Sequence, residues 1–513
     1  MLDRTDARRL ADALRAAGYT YDEVAARLGT EALDGLARNA TLPADRALAG
    51  ADDPQALLIR CFALQQPVPT AGLRAAIGEI VDRPELVRPA DTTRVDRPTL
   101  VRAADTTART GPHGSSEAAI EIRPYAFDDA DGEHAGWLAS DLTPILDGRV
   151  ARPRADFVLG LSPASVTLAQ LTMRTPVARA LDLGTGCGVQ SVHLATHAAA
   201  VVATDLNPRA CAMTRLTADL NAVDLDVRQG SLYEPVAEDT FDLIVTNPPY
   251  VMSPPQGERL VYREGTHTAD GLMHAVVTGA PARLNPGGAL QVLGNWAITA
   301  DQPWQDRLAG WLEPTGCDAL VLQRERLDPY EYIELWLADA GLVGTPDYAR
   351  RYAEWAGYFD ALGIIGVGLG WLALYRNERD QPHLTIQDWP HQVHQPVAGA
   401  FAEFTGAVTA ARRSDAELLA GTLTTAPDLT QETLGRPGAA DPEHIVLRRT
   451  AGFGRAVEVD AALAAVIGAC DGDLPLGMLI EAVGGLLEVN AADLVAELLP
   501  RLRTLIADGY LRG

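Results

Sequence analysis

A glycine-rich turn between two apolar segments constrains this chain more than any other feature. The run Leu181–Leu183 ends a predicted buried strand, and three glycines at alternating positions follow it, Gly184, Gly186 and Gly188. Glycines allow a tight turn and let a ligand approach the backbone closely. The next predicted strand ends on Asp205. Because a carboxylate at that place can accept hydrogen bonds from both hydroxyls of a ribose, the sequence predicts a binding site for a nucleoside-type cofactor.

The segment 155–376 alternates regularly between strand and helix patterns. Such alternation is typical of a parallel sheet with helices on both faces. We therefore predict a doubly wound, Rossmann-like α/β fold with a seven-stranded sheet, in which the last two strands form an antiparallel pair at the edge. The predicted strands are 179–183, 200–204, 225–228, 241–246, 288–294, 319–323 and 364–374.

A second motif, Asn247-Pro248-Pro249-Tyr250, directly follows the fourth predicted strand. The proline pair fixes a rigid turn beyond the carboxyl end of that strand, where open α/β sheets bind ligands. The side-chain oxygen of Asn247 and the carbonyl of Pro248 could accept the two hydrogens of an –NH2 group, and Tyr250 could stack on a planar amide or ring. The motif therefore predicts a clamp for a planar nitrogen.

Three further places are candidates on position alone. Ser231 follows the third strand, where a hydroxyl could bond the amine of an adenine ring. Asn295 and Trp296 end the fifth strand and could line a substrate pocket, although Trp296 could equally be a core residue. The roles of Tyr262–Gly265 and of Asp270, which follow the clamp motif, stay open.

These residues give the segment 155–376 its resemblance to class I S-adenosylmethionine-dependent methyltransferases. The Asn-Pro-Pro-Tyr motif places it nearest the protein-glutamine N5-methyltransferases (HemK-like release-factor enzymes) and the N6-adenine methyltransferases. The resemblance implies S-adenosyl-L-methionine as cofactor, with S-adenosyl-L-homocysteine as product, and no metal. It implies that the three glycines line the methionine part of the cofactor and that Asp205 holds the ribose. The implied catalytic residues are Asn247, Pro248 and Tyr250. The implied cofactor-binding residues are Asp182, Gly184, Gly186, Gly188, Asp205, Leu206, Ser231, Leu232 and Asn247. The implied substrate-binding residues are Pro249, Tyr250, Asn295 and Trp296.

The segment Asp156–Ser165 looks like the part of these families that closes over the cofactor. It lacks the Pro-Arg-Pro-Glu-Thr-Glu pattern of release-factor enzymes. The whole layout resembles actinobacterial methyltransferases that carry an N-terminal helical domain and a C-terminal extension.

The flanking segments have patterns of their own. A 14-residue stretch, 81–94, is nearly repeated as 95–108, and two copies are too few for a solenoid. The predicted domains are an N-terminal helical, winged-helix-like domain (1–80), a duplicated polar insertion or linker (81–117), a strand hairpin (118–154), the methyltransferase domain (155–376), a connecting region (377–440) and a C-terminal winged-helix-like domain (441–513).

Charge and cysteine content narrow the expected partners and compartment. The formal net charge is −25, and such a field opposes a long polyanion, so nucleic acid is an unfavoured partner. The five cysteines include no Cys-x-x-Cys pair, which fits a reducing cytoplasm. We expect no signal peptide, because acidic residues interrupt the first helix, and no membrane partner. The oligomeric state is open.

The expected function is transfer of a methyl group to a planar amide or amine nitrogen, with a protein glutamine-type side chain as the first choice of acceptor. A small-molecule amine and adenine in nucleic acid are the alternative acceptors. A scaffold that only binds the cofactor is the non-enzymatic alternative, and it would have no use for the clamp motif.

Overall fold

Eight strands of one sheet organise the middle of the chain. The computed structural model describes residues 1–90, 114–129, 132–144, 146–148, 153–255, 267–377, 379–437 and 442–513. Within 155–389 the elements are α6 (Pro163–Leu171), β6 (Val177–Leu183), α7 (Val189–Leu194), β7 (Ala198–Asp205), α8 (Pro208–Leu220), β8 (Leu225–Gln229), β9 (Phe241–Thr246), α9 (Gly271–Gly279), β10 (Leu284–Thr299), α10 (Trp304–Leu312), β11 (Asp318–Leu327), α11 (Pro329–Asp339), α12 (Tyr348–Ala361), β12 (Ile364–Tyr375) and β13 (Leu384–Asp388).

The strand order is β13-β11-β12-β10-β9-β6-β7-β8, and only β12 runs against its neighbours. This confirms the doubly wound α/β fold and places each of the seven predicted strands in the sheet. The predicted antiparallel pair, β11 and β12, is present. The sheet nevertheless has eight strands rather than seven, because β13 adds to β11 in parallel and forms the edge. Its sequence, Leu-Thr-Ile-Gln-Asp, is short and half polar, as suits an edge strand, and it gave no strong strand signal.

Alternate residues of each strand face two separate helical layers, as the period of two requires. In β6, Leu181 and Leu183 pack with α9 and α10, whereas Ala180, which precedes them, packs with α6. The strands therefore bring their carboxyl ends together at one edge, with helices covering both faces. That edge positions the functional side chains.

The N-terminal segment is continuous with the sheet's helices. Its elements are α1 (Arg4–Ala16), α2 (Tyr21–Ala37), α3 (Leu42–Ala47), α4 (Pro54–Leu58), a π-turn (Ile59–Ala63), β1 (Val68–Pro69), α5 (Thr70–Ile77), a 3-10 turn (Gly78–Asp82), β2 (Val87–Pro89) and β3 (Ser115–Ala118), with β3 central in a three-stranded sheet. The hairpin of β4 (Glu121–Asp129) and β5 (Gly132–Ser140) follows. One apolar core runs from Leu10 in α1 through Trp137 in the hairpin to Met213 in α8.

The C-terminal segment forms a second core. Its elements are α13 (Ala398–Ala411), α14 (Asp415–Ala420), β14 (Thr422–Thr425), β15 (Leu429–Leu434), β16 (His444–Arg449), β17 (Ala456–Val459), α15 (Ala461–Gly468), β18 (Asp471–Pro475), α16 (Leu476–Leu486), α17 (Ala491–Ala507) and β19 (Leu511–Arg512). Strand β14 pairs with β18 and β19, so this unit includes residues before 441. The segment 377–440 is not only a connection, because it also supplies β13 and α13, whose Phe401 packs on the central sheet.

Two sequence features lie outside the described residues. The second copy of the duplication, 95–108, is one of them, and the stretch Tyr262–Gly265 is the other. The winged-helix character of the terminal units stays a prediction. No helix of the described part of the chain has the length and apolar character needed to cross a membrane.

Asn221 fastens the hairpin to α8. Its Oδ1 accepts from the Trp137 amide at 3.0 Å, and its Nδ2 donates to the Trp137 carbonyl at 2.7 Å. Asn221→Ala leaves both backbone groups without a partner, which should lower the free energy of unfolding by about 1–3 kcal/mol. We expect a lower thermal midpoint and faster hydrogen exchange at the Trp137 amide. Asp224→Ala is the matched control, because the Asp224 side chain is 93% exposed and, among the described residues, pairs with Arg4 at the surface. Equal midpoints for the two variants would contradict this assignment.

Candidate active site

A cavity of about 270 Å³ lies at the carboxyl edge of the sheet, over the ends of β6, β7 and β9. The glycine turn forms its floor. Gly184, Gly186 and Gly188 have φ angles of +77°, +58° and +84°, in the left-handed region that favours glycine. A side-chain atom at Gly184 or Gly186 would meet nothing within 4 Å. The backbone conformation therefore requires glycine there, and the space above both residues is open to a ligand.

Asp182 holds the turn from beneath. Its Oδ2 accepts from the Thr185 hydroxyl at 2.7 Å and from the Ser191 hydroxyl at 2.6 Å, so it joins the strand end, the turn and the first helical turn of α7. The carboxyl group is 2% exposed and also borders the cavity. Burial raises the pKa of Asp182 to about 6, against the two hydroxyl hydrogen bonds that lower it.

Asp205 stands across the cavity at the end of β7. Its Oδ2 accepts from the Gly186 amide at 3.0 Å, and its Oδ1 accepts from the Asn207 amide at 2.8 Å. Burial raises the pKa of this carboxyl group above its usual value. Two backbone amides thus fix the carboxylate of a residue that lines the cavity. A carboxylate has more acceptor sites than these two donors fill.

The residues predicted for the adenine side lie on the same cavity. Leu206, Ser231 and Leu232 all line it, and Leu206 is 52% exposed although it is a large apolar side chain. Leu232 has a φ of +45°, which turns the chain sharply after β8. Two leucines flanking a hydroxyl would suit a flat, partly polar ring.

The clamp motif forms the opposite wall. Asn247, Pro248 and Pro249 line the cavity at the end of β9. The Thr246 hydroxyl donates to the Leu183 carbonyl at 2.7 Å and so ties the start of this motif to the glycine turn. This hydrogen bond therefore links two motifs that lie some 60 residues apart in the sequence.

Three buried polar atoms at the cavity have no hydrogen-bond partner among the described residues: Asn247 Oδ1, Gln190 Oε1 and Thr204 Oγ1. A buried polar atom without a partner is costly, by about 1–3 kcal/mol, unless a ligand or water supplies one. All three can accept hydrogen bonds. The cavity thus offers acceptor oxygens to a ligand that carries N–H and O–H donors.

The segment Asp156–Ser165 lies against the cavity, as predicted for a cover. Its Phe157, Gly160 and Ser162 are lining residues. Three hydrogen bonds hold it in place: Asn207 Nδ2 to the Asp156 carbonyl at 2.9 Å, Gln190 Nε2 to the Ser165 carbonyl at 2.7 Å, and the Val158 amide to Asp141 Oδ2 at 2.8 Å.

Three predicted substrate residues lie elsewhere. Tyr250 is outside the cavity wall and packs edge-on against Trp336, with ring centroids 6.4 Å apart. Asn295 is fully buried beneath Tyr332. Trp296 is 1% exposed; its Nε1 donates to Gln323 at 2.9 Å, and its ring stacks on Trp304. Trp296 is therefore a core residue, and the prediction that it lines the pocket is wrong. Its neighbour Asn295 faces the other side of β10, and the alternation of the strand turns Trp296 into the core.

Other residues reach the cavity that position alone did not single out. Gln190 follows the glycine turn, and Thr204 directly precedes Asp205. On α9, Leu272 and Val276 are four residues apart, a spacing in the sequence that indicates that both lie on one face of the helix. His267 also lines it. Asp270, whose role was open, is structural: it is 4% exposed, pairs with Arg307 at 2.6 Å and accepts from the Ala297 amide.

Three family models match parts of this chain. The methyltransferase small domain matches residues 161–309. Two domains of unknown function match the flanks, DUF7059 over 16–93 and DUF7782 over 408–512. The methyltransferase match covers the glycine turn, Asp205 and the clamp motif.

Several named methyltransferases are similar to part of this chain. A release factor glutamine methyltransferase of Geobacter sulfurreducens is 36% identical, over 25% of this chain and 49% of the relative. One of Deinococcus radiodurans is 34% identical, over 34% and 64%. A ribosomal RNA small subunit methyltransferase C of Erwinia tasmaniensis is 28% identical, over 30% and 40%. The chain spans about half the length of the relatives it matches first.

Among solved structures, a 16S rRNA N2 G1207 methyltransferase of T. Thermophilus, in complex with AdoMet and guanosine, is 21% identical with a TM-score of 0.25, covering 41% of this chain and 52% of that one. Sheet order, site geometry and the family match together identify a class I S-adenosylmethionine-dependent methyltransferase domain in this chain. Its glycine turn, Asp205 and clamp motif all lie within the matched residues 161–309.

Asp205→Ala should weaken binding of S-adenosylmethionine by about tenfold or more, since each hydrogen bond to a charged group contributes about 1.5–3 kcal/mol. Calorimetric titration measures the change. Asp226→Ala is the control, because Asp226 is a surface aspartate of the adjacent strand that pairs with Arg228. Ordinary affinity in Asp205→Ala would remove this residue from the ribose site.

The affinity for S-adenosylmethionine, which carries a positive charge on its sulfur, should fall as the pH drops through about 6. The folded-state pKa of Asp182 is raised, so this carboxyl group takes up a proton below about pH 6 and loses the charge that attracts a cation. Asp182→Asn should flatten that part of the profile, measured by titrations between pH 5 and pH 8. Burial also raises the pKa of Asp205. A wild-type affinity independent of pH would contradict the placement of Asp182 at the cavity.

Proposed function

We propose that this protein is an S-adenosylmethionine-dependent N-methyltransferase whose acceptor is a planar amide or amine nitrogen, first of all a protein glutamine-type side chain. The observation that carries the proposal is Asn247 Oδ1, a buried acceptor atom with no partner among the described residues, on the cavity that also holds Asp205. An –NH2 group is the donor that such an oxygen needs.

The residues present fit the proposed cofactor. Asp205 would accept from the ribose hydroxyls, and Leu206, Ser231 and Leu232 would flank the adenine. The open space above Gly184 and Gly186 would take the methionine part, within reach of Asp182. When bound, S-adenosylmethionine supplies an electrophilic methyl group on a sulfonium sulfur.

Asn247 and the Pro248 carbonyl would orient the acceptor nitrogen by taking its two N–H groups. Positioning of this kind contributes much of the rate in a displacement reaction, because the reacting atoms must lie in line and close together. The proton of the acceptor nitrogen can leave after transfer, so the clamp needs no strong base.

Adenine in nucleic acid is the second candidate acceptor, because relatives at 28% identity carry the name of a ribosomal RNA methyltransferase. The net charge of −25 weighs against it, since binding of a polyanion depends on neutralising its phosphates with basic side chains. The glutamine-type acceptor stays the first proposal.

Asn247→Ala should abolish methyl transfer, by at least about a hundredfold in kcat, while affinity for S-adenosylmethionine stays close to that of the wild type. The reason is that Asn247 acts on the acceptor nitrogen. Calorimetry measures the affinity for S-adenosylmethionine. Incorporation of tritiated methyl groups from S-adenosylmethionine into the acceptors of a lysate measures the rate of transfer. Normal turnover by Asn247→Ala would exclude the clamp. Absence of cofactor binding by the wild type would exclude the methyltransferase function itself.

A further inference from the structure

A pair of helices, α11 and α12, is inserted between β11 and β12 at the ligand edge of the sheet. Strand β11 runs in the same direction as β9 and β10, because both β10 and β11 lie antiparallel to β12. Its end at Leu327 therefore emerges on the side where the cavity opens. We call residues 328–363 the helical hairpin. It has its own apolar core, which also contains Val251 and Met252 from the stretch after the clamp motif.

Tyr332 connects this hairpin to the clamp. Its side chain is fully buried, and its hydroxyl accepts from the Met252 amide at 3.1 Å and from Asn295 Nδ2 at 3.0 Å. Met252 is two residues after Tyr250. One hydroxyl thus fixes the backbone that leaves the clamp, together with the end of β10. Asn295 Oδ1 is buried and finds no donor among the described residues.

The hairpin holds the chain after the clamp at two more places. Trp336 packs edge-on against Tyr250. The Ala269 amide donates to the Tyr358 hydroxyl at 2.9 Å, just before α9 contributes Leu272 and Val276 to the cavity. The hairpin therefore contacts the chain directly after the clamp, at Tyr250 and Met252, and again at Ala269, directly before α9.

That surface combines exposed apolar groups with negative charge. Tyr330, Leu335 and Val343 are 58%, 48% and 63% exposed. The hairpin carries seven acidic residues and two arginines. Both arginines, Arg350 and Arg351, pair with carboxylates of the hairpin itself. A phosphate backbone would meet no complementary charge here, whereas aromatic and aliphatic groups with an acidic surround suit an uncharged or basic polypeptide.

We propose that the helical hairpin is the acceptor-recognition surface of this enzyme, that it selects a neutral or basic polypeptide segment carrying the target amide, and that Tyr332 is a positioning residue for the clamp. This inference rests on the proposed methyltransferase function and names the class of its acceptor.

The test is methyl transfer from tritiated S-adenosylmethionine by the full chain to two acceptor pools: degenerate short peptides with one central glutamine, and RNA of random sequence. We expect labelled peptides with neutral or basic flanks and no labelled RNA. Tyr330→Ala should raise the KM for the peptide pool by about fivefold or more, and Glu334→Arg should shift the preference away from basic flanks. Leu486→Ala and Glu481→Arg, at exposed positions of α16, are the matched controls.

Tyr332→Phe separates positioning from structure. We expect kcat to fall by about tenfold, with the peptide KM and the cofactor affinity within about twofold of the wild type. An unchanged kcat would remove Tyr332 from this role, and a loss of cofactor affinity would reveal a structural role only.

Two outcomes have different consequences. Labelled RNA without labelled peptides, or hairpin variants that behave like the α16 controls, would overturn the recognition surface while the methyltransferase function stands. Cofactor binding without transfer to either pool would overturn the proposed function, and the recognition surface with it. Asn247→Ala supplies the background rate in every assay.

Discussion

The hydrogen bonds of one buried carboxylate hold the site together. Asp182 joins the end of β6 to Thr185 in the glycine turn and to Ser191 in α7. The turn in turn donates two amides to the Thr204 carbonyl and one to Asp205. A buried carboxylate is unfavourable unless such donors surround it. The donors Thr185 and Ser191 belong to the turn and to the helix after it. The turn conformation that leaves the cavity open therefore also supplies the hydrogen bonds that the buried Asp182 carboxylate needs.

The terminal units are built into the fold around this arrangement. The N-terminal unit and the β4–β5 hairpin share a core with α7 and α8, the helices that follow the glycine turn and Asp205. The C-terminal unit is joined through α13, where the Tyr375 hydroxyl donates to the Phe401 carbonyl at 2.8 Å. The helical hairpin covers the third side, beside the clamp. Three additions thus surround one sheet, and the helical hairpin lies at its ligand edge.

Much of this could be predicted because the controlling signals are local. The alternation of strands and helices gave the sheet, and glycines with positive φ, an acid at a strand end and a proline pair gave the cavity wall. The errors came from packing. Trp296 follows a pocket-like position in the sequence, but the two-residue period of β10 directs it onto Trp304. Strand β13 was missed because a short edge strand needs little hydrophobic pattern. Tyr250 was predicted to contact the substrate, but its ring packs against Trp336 of the helical hairpin instead of lining the cavity.

The sequence by itself determined the chemistry of the cavity, since glycine conformations, the strand-end carboxylate and the rigid clamp depend on residues close together in the chain. The tertiary structure alone decided how these motifs meet. It joined Thr246 to Leu183, left Asn247 Oδ1 buried without a described partner, and brought Tyr332 onto Met252 and Asn295. Contacts between segments far apart depend on the packing of whole layers, and no local pattern records that packing.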